Sequence, residues 1–391
     1  MKIIFSVKTI YPFHSYGGVE KYIYNMAKYL ANNNIDVEIV SSFYKKGVKN
    51  EFYEGIHFTF LPPKISSFTD YSLGRLGEHI FGFSLRGYLS KKDFDLLHGV
   101  ELTPYVYLHK KDKKPVIFHL FYDTYRKKPY RDKLYYLKYP FIKTLKTDAV
   151  KYCLKNSDCV ISETPAQTIE LEKTFNIDRN KIFDIPVAID IDTIEKFQKS
   201  SKITREKIGL KNDDFVLISV NRLVPEKGID YLIDSFRIVK NEIKEAKLII
   251  IGSGYQEGEI ISKIQNYNLK DSVVLMKNIK EEDLYGYYSI SDIYVSPTLQ
   301  EDFIMSIQEA MVCGLPIVST GQDWLVHNGI NGYIVEKRKS EMLADRIVKI
   351  YKDKNAKGMG LKSKEIIKEY DWDLVIKRLI KVYEITLQNK Y

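Results

Sequence analysis

The stretch that decides the fold runs from Ser296 to Thr320 and reads SPTLQEDFIMSIQEAMVCGLPIVST. It begins where an apolar strand at residues 293–295 ends, and it finishes with a second buried strand at residues 316–319. Between them the apolar residues predict a helix over 303–311, with Gly314 placed as its C-terminal cap. A strand, a helix and a second buried strand together indicate a parallel α/β sheet.

Two glutamates on this unit, Glu301 and Glu309, are separated by seven residues. Glu301 lies in the loop at the carboxyl end of the first strand, and Glu309 projects from the helix behind it. Open α/β sheets bind ligands outside the carboxyl ends of their strands, where the free N–H groups of a helix start also face an anion. The arrangement suits a phosphorylated ligand whose hydroxyl groups bind carboxylates. A buried helix with one exposed glutamate is the structural alternative.

Composition limits the class of protein. A chain of 391 residues predicts two domains of ordinary size, and 45% hydrophobic residues are enough to form real cores. The three cysteines have no paired spacing, which argues against a disulfide framework and fits a reducing compartment. The sequence shows neither a signal-peptide pattern nor an apolar run of transmembrane length. We therefore expect a cytoplasmic protein.

The first half of the chain alternates strand and helix patterns, which predicts a doubly wound parallel sheet. Gly17 and Gly18 follow the first strand, where a missing Cβ lets the backbone approach a ligand; a tight turn is the alternative. His119 ends an apolar strand, a position where a lone histidine is more often structural. Residues 75–89, which contain several glycines, fit neither pattern. We predict a helix over 20–30 and strands at 2–7, 37–41, 57–61, 96–99, 116–119 and 160–162.

The second half carries two loops that the strand pattern places at the carboxyl edge of a second sheet. A buried strand runs into Arg222 and Lys227, whose charges suit phosphate oxygens, although most such residues simply lie on the surface. The next strand leads to Gly252 and Gly254, without the third glycine of a dinucleotide-binding loop. Close approach of a nucleotide phosphate or base remains the expectation there. The predicted strands are 215–220, 247–251 and 273–275, and the predicted helices are 229–243, 339–353 and 372–387.

These segments and their flanks resemble retaining glycosyltransferases of family 4. The resemblance rests on PTLQE at 297–301, EAMVCGLPIV at 309–318, RLVPEKG at 222–228, GGVE at 17–20 and IPVAID at 185–190. It spans nearly the whole chain and implies a GT-B fold, in which two Rossmann-like doubly wound domains face each other across a cleft. The implied acceptor domain is 1–187, the nucleotide-sugar domain is 188–370, and a helix over 371–391 packs back on the first domain.

The resemblance also implies an activity and a set of site residues. The enzyme would be a metal-independent hexosyltransferase that moves a sugar, with retention of configuration, from a nucleoside diphosphate sugar to a glycan or lipid-linked acceptor. Its catalytic residues would be Arg222 and Lys227 on the diphosphate, Glu301 on the sugar and His119 near the reaction centre. No metal and no cofactor is expected. The donor-binding residues would be Gly17, Gly18, Gly252, Gly254, Phe303, Ile304 and Glu309.

Three positions depart from the family pattern. Ile304 stands where Gly or Pro is usual, Trp324 stands where Glu is common, and Val187-Ala188 replaces Asn-Gly. The first two flank the implied donor pocket, so they predict an unusual sugar or nucleotide preference, or weakened activity. A catalytically silent GT-B binding subunit and a nucleotide-sugar epimerase on the same fold are the alternatives to a transferase.

Basic residues are concentrated in the implied acceptor domain. Residues 101–155 contain fourteen Lys or Arg and five acidic residues, and six tyrosines lie within 122–139. This segment could be a solvated helix face, a membrane-surface patch or a nucleic-acid contact. No nucleic-acid-binding module is recognisable, so the expected partners are the nucleotide-sugar donor and the glycan or lipid-linked acceptor. Peripheral contact of the protein with the anionic inner face of a membrane is also expected.

Overall fold

The computed structural model describes residues 1–14, 18–45, 49–62, 73–121, 147–299, 305–321 and 323–388, with the backbone alone for 73–79. The chain divides into two compact units. Unit 1 consists of Met1–Val187 together with Trp372–Tyr391, and unit 2 consists of Ala188–Asp371.

Unit 1 is built on a mainly parallel sheet. Its strands are β1 (Lys2–Ser6), β2 (Asp36–Ser42), β3 (Asn50–Tyr53), β4 (Ile56–Leu61), β5 (Leu96–Val100), β6 (Val116–His119), β7 (Cys159–Ser162) and β8 (Ile182–Asp184). In the described residues the strand order is β3-β4-β2-β1-β5-β6-β7-β8, and β3 runs antiparallel to β4. The inner strands β5 and β6 are buried at every residue, which is typical of parallel strands covered on both faces.

Helices connect these strands. They are α1 (Gly18–Asn32), α2 (Leu73–Leu89), the short α3 (Tyr105–Leu108), α4 (147–156) and α5 (Pro165–Lys173). The start of α5 is fixed by its sequence, because the Thr164 side chain accepts a hydrogen bond from the Gln167 N–H and Pro165 occupies the first turn.

Unit 2 contains a parallel sheet with two separate cores. Its strands are β9 (Phe215–Val220), β10 (Ala246–Ile251), β11 (Val273–Met276), β12 (Ile293–Ser296), β13 (Ile317–Ser319) and β14 (Gly332–Ile334), in the order β11-β10-β9-β12-β13-β14 among the described residues. Phe215 and Leu217 belong to one core, whereas Val216 and Ile218 belong to the other. Because neighbouring side chains of a strand point to opposite faces, both faces of this sheet are covered.

The helices of unit 2 supply the two covering layers. They are α6 (Ile191–Ser200), α7 (Ile229–Glu242), α8 (Glu257–Asn266), α9 (Glu281–Ser289), α10 (Met305–Val312), α11 (Ser340–Lys352) and α12 (Ala356–Ile367). Buried residues of α7, α8 and α11 join the first core, and those of α9 and α10 join the second. The predicted doubly wound α/β fold is therefore confirmed.

The last helix, α13 (Trp372–Gln388), belongs to unit 1 and packs on α1. The Trp372 ring stacks on Tyr22 and on Tyr29, with ring centroids 5.1 Å apart in both pairs. This aromatic stack, together with the buried apolar residues of α13, anchors the end of the chain in the first unit.

Several elements differ from the sequence expectation. Residues 75–89, which fitted no pattern, lie within α2. One of their glycines, Gly82, is required by packing, because a Cβ there would lie 2.6 Å from Cγ2 of Val106. The strands β3, β8 and β14 were not predicted. Phe52 on β3 is 63% exposed, so this edge strand lacks the buried pattern of the inner strands.

Candidate active site

Three loops of unit 2 meet where adjacent strands β9, β12 and β13 end. The backbone N–H of Leu299, after β12, donates to the carbonyl of Glu226, after β9, at 2.8 Å. The Thr320 N–H, after β13, donates to the Ser296 carbonyl at 3.1 Å. The loop that carries Arg222 and Lys227 is therefore held against the segment that leads to Glu301. This is the edge of the sheet at which α/β proteins bind ligands.

Gly228 sets how closely the first two loops approach. It adopts the left-handed conformation with φ of +64°, and a Cβ built on it would lie 2.2 Å from the carbonyl oxygen of Pro297. Only glycine fits both the backbone conformation and the space. Since α7 begins at the next residue, Gly228 also ends the loop and starts the helix.

The two cations of the loop differ in burial. Lys227 closes a short 3-10 turn over Pro225–Lys227 and is only 8% exposed, whereas Arg222 is exposed. A lysine is rarely so buried unless its charge has partners, and its burial here fixes where the charge lies. The loop thus presents one fixed and one exposed cation at the same sheet edge.

Glu309 lies on α10 and accepts a hydrogen bond from the buried Tyr288. The Tyr288 hydroxyl donates to Oε2 of Glu309 at 3.0 Å, and the Tyr294 hydroxyl lies 2.7 Å from Oγ of Ser306. Burial first, and the Glu309 charge second, hold the pKa of Tyr288 well above its ordinary value, so this hydroxyl remains a donor. The hydrogen bond fixes the orientation of the Glu309 carboxylate. The partners predicted alongside it, Glu301, Phe303 and Ile304, lie outside the described residues.

Gly252 and Gly254 make close contacts within unit 2. A Cβ on Gly252 would lie 1.8 Å from the carbonyl oxygen of Asn221, and one on Gly254 would lie 2.2 Å from that of Leu223. The Leu223 N–H also donates to the Ser253 carbonyl at 2.9 Å. These glycines are therefore needed for the loop after β10 to pack against the loop that carries Arg222.

The glycine pair of unit 1 is only partly described. Gly18 is the first residue of α1, while Gly17 lies outside the described residues. Near this helix start, Oγ1 of Thr9 donates to Oε1 of Glu20 at 2.9 Å. Glu20 therefore holds the loop after β1 to the helix that follows it.

His119 ends β6 and is buried, with both ring nitrogens engaged. Its Nδ1 lies 3.1 Å from Nε2 of His98, and its Nε2 lies 3.2 Å from Oε1 of Glu163. His98 in turn contacts the Tyr383 hydroxyl at 2.8 Å through Nδ1. Sequence reasoning missed His98, Glu163 and Tyr383, because they lie in separate parts of the sequence and no spacing joins them. The predicted contact of His119 with a donor sugar remains a prediction.

No group of three or more His, Cys, Asp or Glu in the described residues is arranged to hold a metal ion. The three cysteines are buried and unpaired, and burial raises the pKa of each thiol. Within the part of the chain that the structure describes, no helix is both long and apolar enough to span a bilayer. Of the basic stretch at residues 101–155, residues 122–146 lie outside the described residues.

Two family profiles match successive parts of the sequence. "Glycosyltransferase Family 4" matches residues 16–193, and "Glycosyl transferases group 1" matches residues 200–383. The chain belongs to the group 1 glycosyltransferases of family 4 type. The profile boundary, between residues 193 and 200, lies near the division between the two units.

Similar solved structures share the fold over the full chain. Sucrose-phosphate synthase from Thermosynechococcus elongatus matches with a TM-score of 0.80 at 20% identity and covers 99% of both chains. The HepE protein of Anabaena in complex with UDP matches with a TM-score of 0.71 at 18% identity, covering 98% of this chain and all of that one. These likenesses establish the GT-B fold.

Curated relatives are similar over shorter segments. The capsular polysaccharide biosynthesis glycosyltransferase CapM of Staphylococcus aureus is 35% identical over 170 residues, which cover 41% of this chain and 43% of that protein. An Escherichia coli protein named UDP-Gal:alpha-D-GlcNAc-diphosphoundecaprenol alpha-1,3-galactosyltransferase is 28% identical over 191 residues, which cover 46% of this chain and 48% of that protein. The matched part spans about half the length of the first curated relatives.

Proposed function

We propose that this protein is a retaining glycosyltransferase that moves a sugar from a nucleoside diphosphate sugar to a glycan or lipid-linked acceptor. The observation that carries the proposal is the contact between the Arg222–Gly228 loop and the segment after β12. It brings two cations to the sheet edge from which the Glu301–Glu309 segment continues. Two cations at this edge, and the two glutamates that the sequence places in the following segment, match a ligand that has both phosphates and sugar hydroxyls.

The cations would act on the leaving diphosphate. As the glycosidic bond to the phosphate lengthens, negative charge builds on the phosphate oxygens while the sugar becomes positively charged. Arg222 offers a planar fork of N–H donors, and Lys227 offers a fixed point charge that burial makes more effective than one in water. These two residues would provide the charge stabilisation that a metal supplies elsewhere, so the proposed reaction is metal-independent.

The carboxylates would orient the donor. Glu309, whose carboxylate is held by the Tyr288 hydroxyl, would accept hydrogen bonds from ribose hydroxyls. Glu301 would accept from sugar hydroxyls and hold the anomeric carbon in reach of the acceptor. Different side chains of unit 2 would thus stabilise the diphosphate charge and orient the sugar. No residue is proposed as a covalent nucleophile.

Two features support a lipid-linked acceptor and peripheral membrane contact. The names of two relatives contain a lipid: the E. coli galactosyltransferase above, and the alpha-monoglucosyldiacylglycerol synthase of Streptococcus pneumoniae, 26% identical over 144 residues. The basic excess within residues 101–155 of this chain would contribute about 1 kcal/mol per basic residue at an anionic bilayer. Tyrosines in the same stretch suit the interface.

The test is an acceptor-dependent release of nucleoside diphosphate. The full chain is incubated with UDP-, GDP- and ADP-sugars, with and without a mixture of glycan and lipid-linked acceptors. A transferase releases the diphosphate when an acceptor is present, and retention predicts that the product keeps the donor's anomeric configuration. No release with any pair would favour a silent binding subunit, and conversion of the free nucleotide sugar without an acceptor would favour an epimerase.

A further inference from the structure

Four buried polar side chains of unit 1 form a continuous line of hydrogen bonds. Tyr383 on α13 contacts His98 on β5 at 2.8 Å, His98 contacts His119 on β6 at 3.1 Å, and His119 contacts Glu163 at 3.2 Å. Glu163 follows β7 directly, so the line crosses three adjacent strands and ends at their carboxyl edge.

Packing keeps water from this line and limits the rotation of its rings. The side chains of His119 and Glu163 are each 1% exposed, and His98 and Tyr383 are fully buried. Phe5 stacks on the His98 ring at a centroid distance of 4.4 Å. Phe121 stacks on the His119 ring at 4.6 Å, so both imidazoles are held flat against aromatic neighbours.

The Glu163 backbone is also fixed. Its N–H donates to Oε1 of Gln167 at 2.8 Å, and Nε2 of Gln167 donates to the Leu120 carbonyl at 2.6 Å. Gln167 therefore ties the residue after β7 to the residue after β6, beside the hydrogen bond between Glu163 and His119. In the described part of the chain no Lys or Arg forms an ion pair with Glu163, and there its carboxylate pairs with the His119 imidazole.

The chemistry of the four groups restricts where their protons lie. Burial, and then the neighbouring His119, hold the pKa of His98 well below its ordinary value, so His98 is neutral and has one N–H and one bare nitrogen. Burial likewise holds the pKa of Tyr383 well above its ordinary value, so its hydroxyl remains protonated. An ionised carboxylate can only accept hydrogen bonds.

One proton order satisfies every contact when Glu163 is ionised and His119 is neutral. Nε2–H of His119 donates to Glu163, and the bare Nδ1 of His119 accepts from Nε2–H of His98. The bare Nδ1 of His98 then accepts from the Tyr383 hydroxyl. Each of the three hydrogen bonds has one donor and one acceptor, and both histidines are in the Nε2–H tautomer.

We propose that Glu163 is a positioning residue that holds His119 in the Nε2–H tautomer and, through it, fixes the proton order of His98 and Tyr383. A hydrogen bond to one ring nitrogen decides which nitrogen of a histidine carries the proton and also fixes the orientation of the ring. The tautomer is a property of unit 1 alone. Its consequence for turnover rests on the proposed function, in which His119 lies near the reaction centre.

The first test measures the tautomers directly. Long-range ¹H–¹⁵N spectra of the full chain labelled with ¹⁵N-histidine should show His98 and His119 as Nε2–H tautomers, with signals assigned through His98→Gln and His119→Asn. In Glu163→Gln the side chain can donate through its NH2 as well as accept through its oxygen, so His119 is no longer restricted to one tautomer and the Nδ1–H form should appear beside the Nε2–H form. Glu172→Gln, a change at a partly exposed residue of α5 that removes only an ion pair with Arg179, is the matched control and should leave both rings unchanged.

The second test is kinetic. With the donor identified, Glu163→Gln should lower kcat by about 10–100-fold, the range found when the hydrogen-bond partner of a metal-bound histidine is removed, with little change in the donor KM. Glu172→Gln should keep the wild-type kcat. A wild-type His119 in the Nδ1–H tautomer, or a Glu163→Gln kcat within twofold of the wild type, would overturn the proposal. A wild type that transfers no sugar would instead count against the proposed function, and the spectra would still decide the role of Glu163.

Discussion

Gly228→Ala should separate the two loops on which the candidate site of unit 2 depends. A Cβ on Gly228 would lie 2.2 Å from the Pro297 carbonyl oxygen, whereas real Cβ contacts essentially never fall below 3.0 Å. The difference, 3.0 minus 2.2, requires the loops to move apart by about 0.8 Å. A displacement near 1 Å can lower a rate about 100-fold, so kcat should fall at least about tenfold.

The same substitution should lower the free energy of unfolding through two separable contributions, one from backbone conformation and one from crowding. Alanine in the left-handed conformation costs about 1–2 kcal/mol, and the crowding adds about 1–3 kcal/mol. Gly209→Ala is the matched control, because Gly209 has φ of +76° but no atom lies within 4 Å of its added Cβ. It should therefore lose only the first amount and keep its activity.

Urea unfolding can measure this difference within unit 2. The chain has two tryptophans, Trp324 in unit 2 and Trp372 in unit 1. In a Trp372→Phe background the remaining tryptophan fluorescence reports unit 2. The reasoning is refuted if Gly228→Ala and Gly209→Ala lose the same free energy within about 0.5 kcal/mol, or if Gly228→Ala keeps the wild-type kcat.

Three further predictions concern charge. Arg222→Ala and Lys227→Ala should each lower kcat by about 10²–10³-fold while the protein still folds. The control Arg237→Ala, an exposed change on α7, should keep the wild-type kcat. Near-normal turnover of both site variants would exclude the assignment of these cations to the diphosphate. Turnover should persist in excess EDTA, and loss of turnover that Mg²⁺ or Mn²⁺ restores would contradict the metal-independent mechanism. The full chain should sediment with anionic but not neutral vesicles, and less so above about 0.5 M salt. Triple charge reversal to Glu at Lys127, Lys128 and Arg131 should release it, unlike the control reversal at Lys354, Lys357 and Lys368. Equal sedimentation with both vesicle types at low salt would indicate a solvated basic face.

The sequence predicted best those elements that are buried throughout. The strands at 116–119 and 215–220 have the predicted bounds: the first starts after Pro115 and ends at His119, and the second is an apolar run between Asp214 and Asn221. The pattern failed for α2, where Gly82 is required by the approach of Val106, a contact remote in the sequence. It also failed for β3, an exposed edge strand whose identity depends on pairing with β4.

The candidate site could be predicted only where its residues lie close together in the sequence. Arg222 and Lys227 share one loop with a recognisable local sequence, so their placement at the sheet edge follows from a strand and a helix on either side. Glu163 and His98 come together with His119 only because β5, β6 and β7 are neighbours in the sheet. The sequence also cannot reveal that Gly252 and Gly254 pack against another loop of unit 2, because the contacting atoms belong to the backbone.

Binding of a nucleotide sugar to the Arg222 loop tests the central claim most directly. Melting temperatures would be measured for the wild type, Arg222→Ala and the control Arg237→Ala with UDP-, GDP- and ADP-sugars. A ligand at 100 times its Kd stabilises the folded state by about 2.7 kcal/mol, which is a readily measured shift. We predict that one nucleotide series raises the melting temperature of the wild type and of Arg237→Ala, and that the rise is much smaller in Arg222→Ala. No rise with any nucleotide sugar, or an equal rise in Arg222→Ala, would contradict the account.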